Sequence, residues 1–166
     1  MRLFVAAWPP PEVVASLHEL SRPDVGGVRW STEDQWHVTL RFLGDVERVD
    51  DLVDALSSIS IAAAEVIVGP ATSRLGAGIL MVPVHGLDAF ARAVHEVTEP
   101  FVSIPEHRPF KGHVTVARAR SKSEVPRLLE GTPFSASWTA TSFALVRSQT
   151  KPTGAVYTDI ATFSLT

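Results

Sequence analysis

Apolar residues along this chain fall into runs of two kinds, one spaced for strands and one spaced for helices. Residues 2–8, from Arg2 to Trp8, are almost unbroken in apolar character and predict a buried strand. Pro9 to Pro11 then open an amphipathic helix reaching about Leu20, since proline is tolerated in a first helical turn. Residues 36–43 alternate cleanly and predict a second strand. Val49, Leu52, Val53 and Leu56 recur at helical spacing, inside a helix expected over residues 46–58. Strands are predicted at 65–69 and 78–84, a helix at 87–102, and a strand at 112–119 after a proline-containing loop. A short helix near 123–130 precedes two long β segments, 134–147 and 155–165, joined by a turn holding Pro152 and Gly154.

This order contains a repeat. A strand, a helix and a histidine-bearing strand occur in the first half and recur in the second. The two histidine strands are 76 residues apart (113 − 37), and the helices carry Leu17-His18-Glu19-Leu20 and Val94-His95-Glu96-Val97, 77 apart (94 − 17). Two independent pairs with nearly one offset imply two related halves. Such halves make an α+β protein whose sheets face each other across a groove.

The 166 residues suit one domain, residues 1–166. No apolar run approaches the ~18–20 residues of a membrane helix, and the apolar start is too short for a signal peptide, so a cytoplasmic protein is expected. Cysteine is absent, which excludes disulfides, zinc–thiolate sites and cysteine nucleophiles. A net charge of −3 argues against coating long stretches of nucleic acid but not against gripping one terminal phosphate. Arg108, Lys111, Arg118, Arg120 and Lys122 gather around one histidine, whereas Asp45, Glu47, Asp50, Asp51 and Asp54 form an acidic group read as solvated surface.

Two of the six histidines open the same tetrad, His37-Val38-Thr39-Leu40 and His113-Val114-Thr115-Val116. A given histidine would start such a tetrad by chance under about one time in a hundred. Strand alternation places His37, Thr39 and Arg41 on one side, with Trp36, Val38, Leu40 and Phe42 on the apolar side; His113 and Thr115 lie opposite Val114 and Val116. Each half thus offers one proton carrier titrating near neutrality and one hydroxyl donor. That combination can open a cyclic phosphodiester without a metal or other cofactor: a base takes a proton from water, an acid protonates the departing oxygen, and hydroxyls steady the charged oxygens. A lone His-x-Thr on a strand is usually a half-exposed pair without function; the doubled tetrad favours catalysis. No third ligand at convincing spacing supports a metal site. His18 and His95 read as surface or helix-packing residues, and His85 and His107 as structural or solvated residues near turns.

With these residues in view, the chain resembles the two-histidine phosphoesterase superfamily, specifically the RNA 2′,3′-cyclic phosphodiesterase or 2′-5′ RNA ligase-like family of bacteria and archaea. The likeness rests on Arg2-Leu3-Phe4-Val5-Ala6, Val28-Arg29-Trp30, His37 to Gly44, Arg108 to Arg118, Leu145-Val146-Arg147-Ser148 and Gly154-Ala155-Val156-Tyr157. The resemblance implies a two-lobed, pseudo-symmetric α+β fold, antiparallel sheets facing a central cleft and helices packed outside. It implies hydrolysis of 2′,3′-cyclic phosphate ends to 2′-phosphates, and sometimes reversible 2′-5′ ligation of RNA halves. The implied partners are RNA ends or tRNA halves bearing the cyclic phosphate, and nucleotides, with no membrane and a monomeric protein. On that pattern His37 donates to the leaving 3′ oxygen, His113 is the base for water, and Arg118 matches a phosphate-holding arginine; the residues alone leave the two histidine roles open. Strict alternation, however, puts Arg118 on the Val114/Val116 side unless the strand bends. Gly112 stands where many relatives carry proline, and glycine loosens a backbone, so a less firmly placed His113 is expected. Two other readings remain: a phosphodiesterase for small cyclic nucleotide phosphates such as those derived from ADP-ribose, and a non-catalytic RNA- or nucleotide-binding module.

Overall fold

A computed structural model describes residues 1–102, 106 and 108–165. The first series of elements is β1 (Arg2–Ala7), α1 (Pro11–Glu19), β2 (Val28–Trp30) and β3 (Val38–Asp45). Next come α2 (Val49–Ser57), β4 (Ala64–Val68) and β5 (Ser73–Leu75), and the second series is β6 (Ile79–His85), α3 (Asp88–Thr98) and β7 (His113–Ala119). The chain closes with β8 (Ala136–Ala140), β9 (Ser142–Lys151) and β10 (Gly154–Ser164). β1 and β6 begin 77 residues apart (79 − 2), as do α1 and α3 (88 − 11), so the repeat is structural.

The strands run in the order β10-β9-β1-β3-β7-β6-β4-β8, with β2 added on β7 and β5 on β6. Read outward from the centre, this order repeats itself. β1 lies between β3 and β9, β6 lies between β7 and β4, and the two lobes meet where Val38 of β3 pairs with Val114 of β7. The two lobes are therefore joined through one strand pair in a continuous antiparallel path. β4 crosses from the first series into the second lobe and β9 returns to the first, which interlocks the two.

One face of the sheet packs under the helices. Leu3, Val5, Val38, Leu40, Val114 and Val116 meet Val13 and Leu17 of α1, Leu52 and Leu56 of α2, and Phe90 and Val94 of α3 in one buried cluster. α3 lies against β3 and α2, while α1 reaches β8. Leu52/Leu56 and Phe90/Val94 each sit four apart, one helical stripe turned to the sheet. The other face carries a thinner apolar layer, Phe4, Ala6, Ala144 and Val146, flanked by Trp8 and Tyr157. This layer floors a groove that both histidine strands border.

Several expected boundaries move. The segment 134–147 divides: β8 pairs with β4 while β9 pairs with β1, so two strands at distant places in the sheet flank Thr141. The helix near 123–130 is only a 3₁₀ turn at Arg127–Leu129, held between Pro126 and Gly131. α3 ends at Thr98 and continues as a 3₁₀ turn, Glu99–Phe101, around Pro100. β2 and β5, three residues each, are too short to leave an alternation in the sequence. The acidic residues of the Asp45–Asp54 group are all exposed, as expected of a solvated surface.

Candidate active site

Each histidine-bearing strand carries an extra residue at the same place, and β3 carries a second one at Leu43. In the β1–β3 pairing Ala6 faces Thr39 and Val5 faces Arg41, skipping Leu40; in the β6–β7 pairing Met81 faces Thr115 and Leu80 faces Ala117, skipping Val116. The two bulged positions are 76 residues apart (116 − 40), the offset of the histidines themselves. A bulge resets strand alternation. Leu40 and Arg41 are consequently both buried and Phe42 returns to the open face; Val116 and Ala117 are both buried and Arg118 returns to it.

Two expectations change sides as a result. Arg118 does line the groove, together with His37, Thr39, His113 and Thr115. Arg41 does not. It is 2% exposed and points into the packing between β3 and α3, where it donates to the carbonyl oxygen of His95 (3.0 Å), Oγ1 of Thr98 (3.0 Å) and Oε2 of Glu99 (2.9 Å). Alternation counted from His37 misplaces Arg41 because it ignores the bulge at Leu40. Phe42, expected in the core, is 43% exposed at the groove edge, with the Arg2 guanidinium 4.8 Å from its ring centre.

The two histidines sit on adjacent strands. Continuing the Val38–Val114 register by one residue each way sets His37 opposite Thr115 and Thr39 opposite His113. Nδ1 of His37 lies 2.8 Å from the carbonyl oxygen of Gln35, and Nδ1 of His113 lies 2.8 Å from that of Lys111. A carbonyl only accepts, so both rings carry their proton on Nδ1 and keep Nε2 for other work. Nε2 of His37 takes a hydrogen bond from the Thr39 hydroxyl at 3.0 Å.

The environments of the rings differ. Phe4, Trp8 and Tyr157 pack around His37 with ring centres 4.9, 5.5 and 5.2 Å away. Burial is the main reason its pKa falls from 6.5 to about 4; the Gln35 carbonyl opposes the fall, and the charges of His113 and Arg118 add to it. His37 is therefore neutral in the empty groove at neutral pH. Phe4 and Trp8 share the open face of the first strand run, a signal present in the sequence but masked by the apolar character of the whole run. Tyr157, the last residue of the Gly154-Ala155-Val156-Tyr157 segment, shows nothing in its spacing that points to His37. Ser148 and Thr150 of β9 add hydroxyls to the groove, which has a volume of about 320 Å³. A side recess of about 110 Å³ continues from His37, Thr115 and Arg118 toward Arg29, Trp30 and Gln35.

Gly112 is held firmly. Its carbonyl accepts from the Val84 N–H at 2.9 Å, and a Cβ there would stand 2.5 Å from the Val84 carbonyl oxygen. Glycine is needed for close approach to β6, so the expected loosening beside His113 does not occur. Three of the other histidines lie outside the groove: His18 meets Glu33 at 2.8 Å and packs on Trp36, His95 is on α3, and His85 ends β6 exposed. His107 falls outside the described residues. Among the described residues no group of three or more His, Asp or Glu side chains is placed to hold a metal ion.

Two tautomer-matched imidazoles, two hydroxyls and a guanidinium in one groove define a site for acid–base chemistry on a small anion. Comparison with known proteins gives this class a family. A sequence model described as LigT-like phosphoesterase matches residues 8–71. A Thermus thermophilus protein named RNA 2′,3′-cyclic phosphodiesterase is 36% identical over 192 aligned positions, covering 99% of this chain and 90% of that protein. The crystal structure of TT0787 from Thermus thermophilus superposes with a TM-score of 0.85 at 29% identity, covering 99% of this chain and 97% of that one. Escherichia coli LigT complexed with 3′-AMP shares the fold, with a TM-score of 0.79 at 24% identity over 99% of this chain and 98% of that one. The chain belongs to the LigT-like phosphoesterase family.

Proposed function

We propose that this protein hydrolyses 2′,3′-cyclic phosphates at RNA ends to 2′-phosphates, using His37 and His113 as an acid–base pair. The observation that carries the reading is the matched pair of imidazoles, each with Nδ1 tied to a backbone carbonyl and both lining one groove. The relative named RNA 2′,3′-cyclic phosphodiesterase supports the choice of substrate.

The reaction balances with these groups alone. The oxygen of a water attacks phosphorus as its proton passes to Nε2 of His113. The bond from phosphorus to the 3′ oxygen breaks, and that oxygen takes a proton from Nε2 of His37, leaving a 2′-phosphate. A ring held near pKa 4 is a strong acid once protonated, and so a ready donor to an alkoxide. The anionic cyclic phosphate favours the imidazolium until the proton is spent. Protonation also frees the Thr39 hydroxyl from Nε2, so that Thr39, Thr115 and Arg118 can meet the phosphate oxygens as charge builds. Replacing water by the 5′-hydroxyl of a second RNA would make a 2′-5′ linkage through the same kind of transfers.

A defined RNA ending in a 2′,3′-cyclic phosphate, incubated with the protein in excess EDTA, tests this reading. The expected product carries a 2′-phosphate. A 3′-phosphate product, no turnover, or activity lost on chelation and restored by one divalent ion overturns it.

A further inference from the structure

The side recess holds an arrangement that cyclic phosphate chemistry alone does not explain. Arg29 of β2 pairs directly with Arg118 of β7, and both side chains line the recess beside His37 and Thr115. Like charges placed directly opposite on neighbouring strands repel. Neither guanidinium meets a carboxylate among the described residues. The charge of Arg118 is felt at the His37 ring, so the cationic field reaches the catalytic groups.

Arg29 is held in place from above. Its Nη2 donates to the Thr153 carbonyl in the β9–β10 turn, and its guanidinium lies against Gly154, where a Cβ would stand 3.0 Å from Cζ. Gln35 fastens the same hairpin by donating to the Ala155 carbonyl at 3.2 Å. One bond to Thr153 leaves most of the guanidinium donors free. Two like charges side by side, one of them anchored and neither meeting a carboxylate among the described residues, form a site for an anion. Arg118 lines both the main groove and the recess, whereas Arg29 lines only the recess. The recess therefore lies one step beyond the phosphate held at the histidines.

We propose that Arg29, with Arg118, binds a second phosphate of the substrate, the one on the 5′ oxygen of the nucleoside that carries the cyclic phosphate. This rests on the phosphodiesterase reading and refines its substrate class. The protein acts on ends that carry a 5′ phosphate, either the internal linkage of an RNA chain or a 5′-phosphorylated nucleotide, in preference to a bare nucleoside 2′,3′-cyclic phosphate. A guanidinium–phosphate contact is charge-assisted and two-pronged, so its loss costs about tenfold or more.

The test compares kcat/KM for three substrates with one base: the nucleoside 2′,3′-cyclic phosphate with a free 5′-hydroxyl, the same with a 5′-phosphate, and the dinucleotide ending in the same cyclic phosphate. The two 5′-phosphorylated forms are expected to exceed the first by about tenfold or more. Arg29→Gln should collapse that ratio, and Arg29→Lys should restore part of it. Equal kcat/KM for all three substrates in the wild-type protein overturns the second-phosphate site while leaving the phosphodiesterase reading intact. Hydrolysis of none of them refutes that reading instead. A preference that survives in Arg29→Gln, or an Arg29→Gln loss equal for all three substrates, also overturns the proposal, the latter by reducing Arg29 to a fastener of the hairpin.

Discussion

His37 and His113 are tied in the same way: each ring reaches back with Nδ1 to the carbonyl oxygen two residues earlier, at 2.8 Å in both cases. The bond is local to the strand, so the tautomer is set by the backbone that precedes each tetrad, with no carboxylate needed to orient the ring. Neither Nε2 is tied to the backbone, and that of His37 takes a hydrogen bond from the Thr39 hydroxyl. If the two act in one step, as proposed, His37→Ala and His113→Ala should each lower kcat by about a thousandfold or more. The double variant should be little worse than either single one, since groups that act as a unit are not additive. Steady-state kinetics of the three variants, with thermal melts to confirm folding, decide it. A folded single variant that keeps most of its activity removes the pair from the mechanism.

The low pKa of His37 predicts an unusual acid limb. The ring is neutral above about pH 4 in the free protein, so the acid-side inflexion of kcat/KM should lie near 4 rather than at 6.5. The prediction does not depend on which histidine is the acid, because reverse protonation gives the same curve with its limbs at the same pKa values. In the bound state the phosphate anion favours the imidazolium, so the corresponding limb of kcat should move upward. The same shift links to stability. The unfolded chain protonates this ring first, near 6.5, so the folded state loses stability as pH falls from there toward 4. NMR titration of the His37 ring, set beside the pH profile, reads both; a free-protein ring titrating at 6.5 contradicts the burial argument.

Much of the fold and site is legible from spacing. The two tetrads, the 76–77-residue repeat and the α+β character follow from periodicity and chemistry that a single sequence displays. The bulges at Leu40 and Val116 do not. Each inserts a residue that is itself apolar, so the run still looks like an alternating strand, yet the side chains that follow directly change face. Simple alternation puts Arg41 and Phe42 on each other's sides for this reason, and Arg118 reaches the groove only because β7 bulges as β3 does. The long segment 134–147 hides its division because both parts are good strands, and only pairing with β4 and β1 separates them.

Arg41 carries a structural prediction instead of a functional one. It joins the last turn of α3 to β3 through three hydrogen bonds in a nearly sealed environment, while its partner Glu99 stays 62% exposed. Arg41→Ala should destabilise the fold by about 2–4 kcal/mol through lost packing and the loss of three hydrogen bonds, although the Thr98 hydroxyl keeps its bond to the Val94 carbonyl. Its kcat/KM at a temperature where it remains folded should stay near wild type. Denaturant melts and kinetics at low temperature separate the two effects; a stable variant with weakened phosphate binding would return Arg41 to the groove.

Gly112→Ala offers a complementary check beside His113. The added methyl would be driven into the Val84 carbonyl, at a place where backbone and not a flexible side chain must yield. The strand can respond only by moving away from β6, which stretches the Val84 to Gly112 hydrogen bond and displaces His113. Reduced kcat together with a lower melting temperature is expected. A variant with wild-type kcat would show that β7 tolerates this movement and that His113 is positioned from elsewhere.

The threonines separate binding from catalysis. Valine matches threonine in shape and in preference for strands, so Thr39→Val and Thr115→Val should fold normally while each removes one hydroxyl donor. If the hydroxyls act on charge that develops only as the phosphorus–oxygen bond breaks, kcat falls by about a hundredfold and KM changes little. Thr39 has a second duty, since its hydroxyl occupies Nε2 of His37 at 3.0 Å in the empty groove. Serine keeps the hydroxyl and loses only the methyl group, so Thr39→Ser and Thr115→Ser should recover most of the rate lost in the valine variants. Valine variants with unchanged kcat would make the threonines strand formers only. Serine variants as slow as valine would assign the loss to packing around the tetrads and not to the hydroxyls.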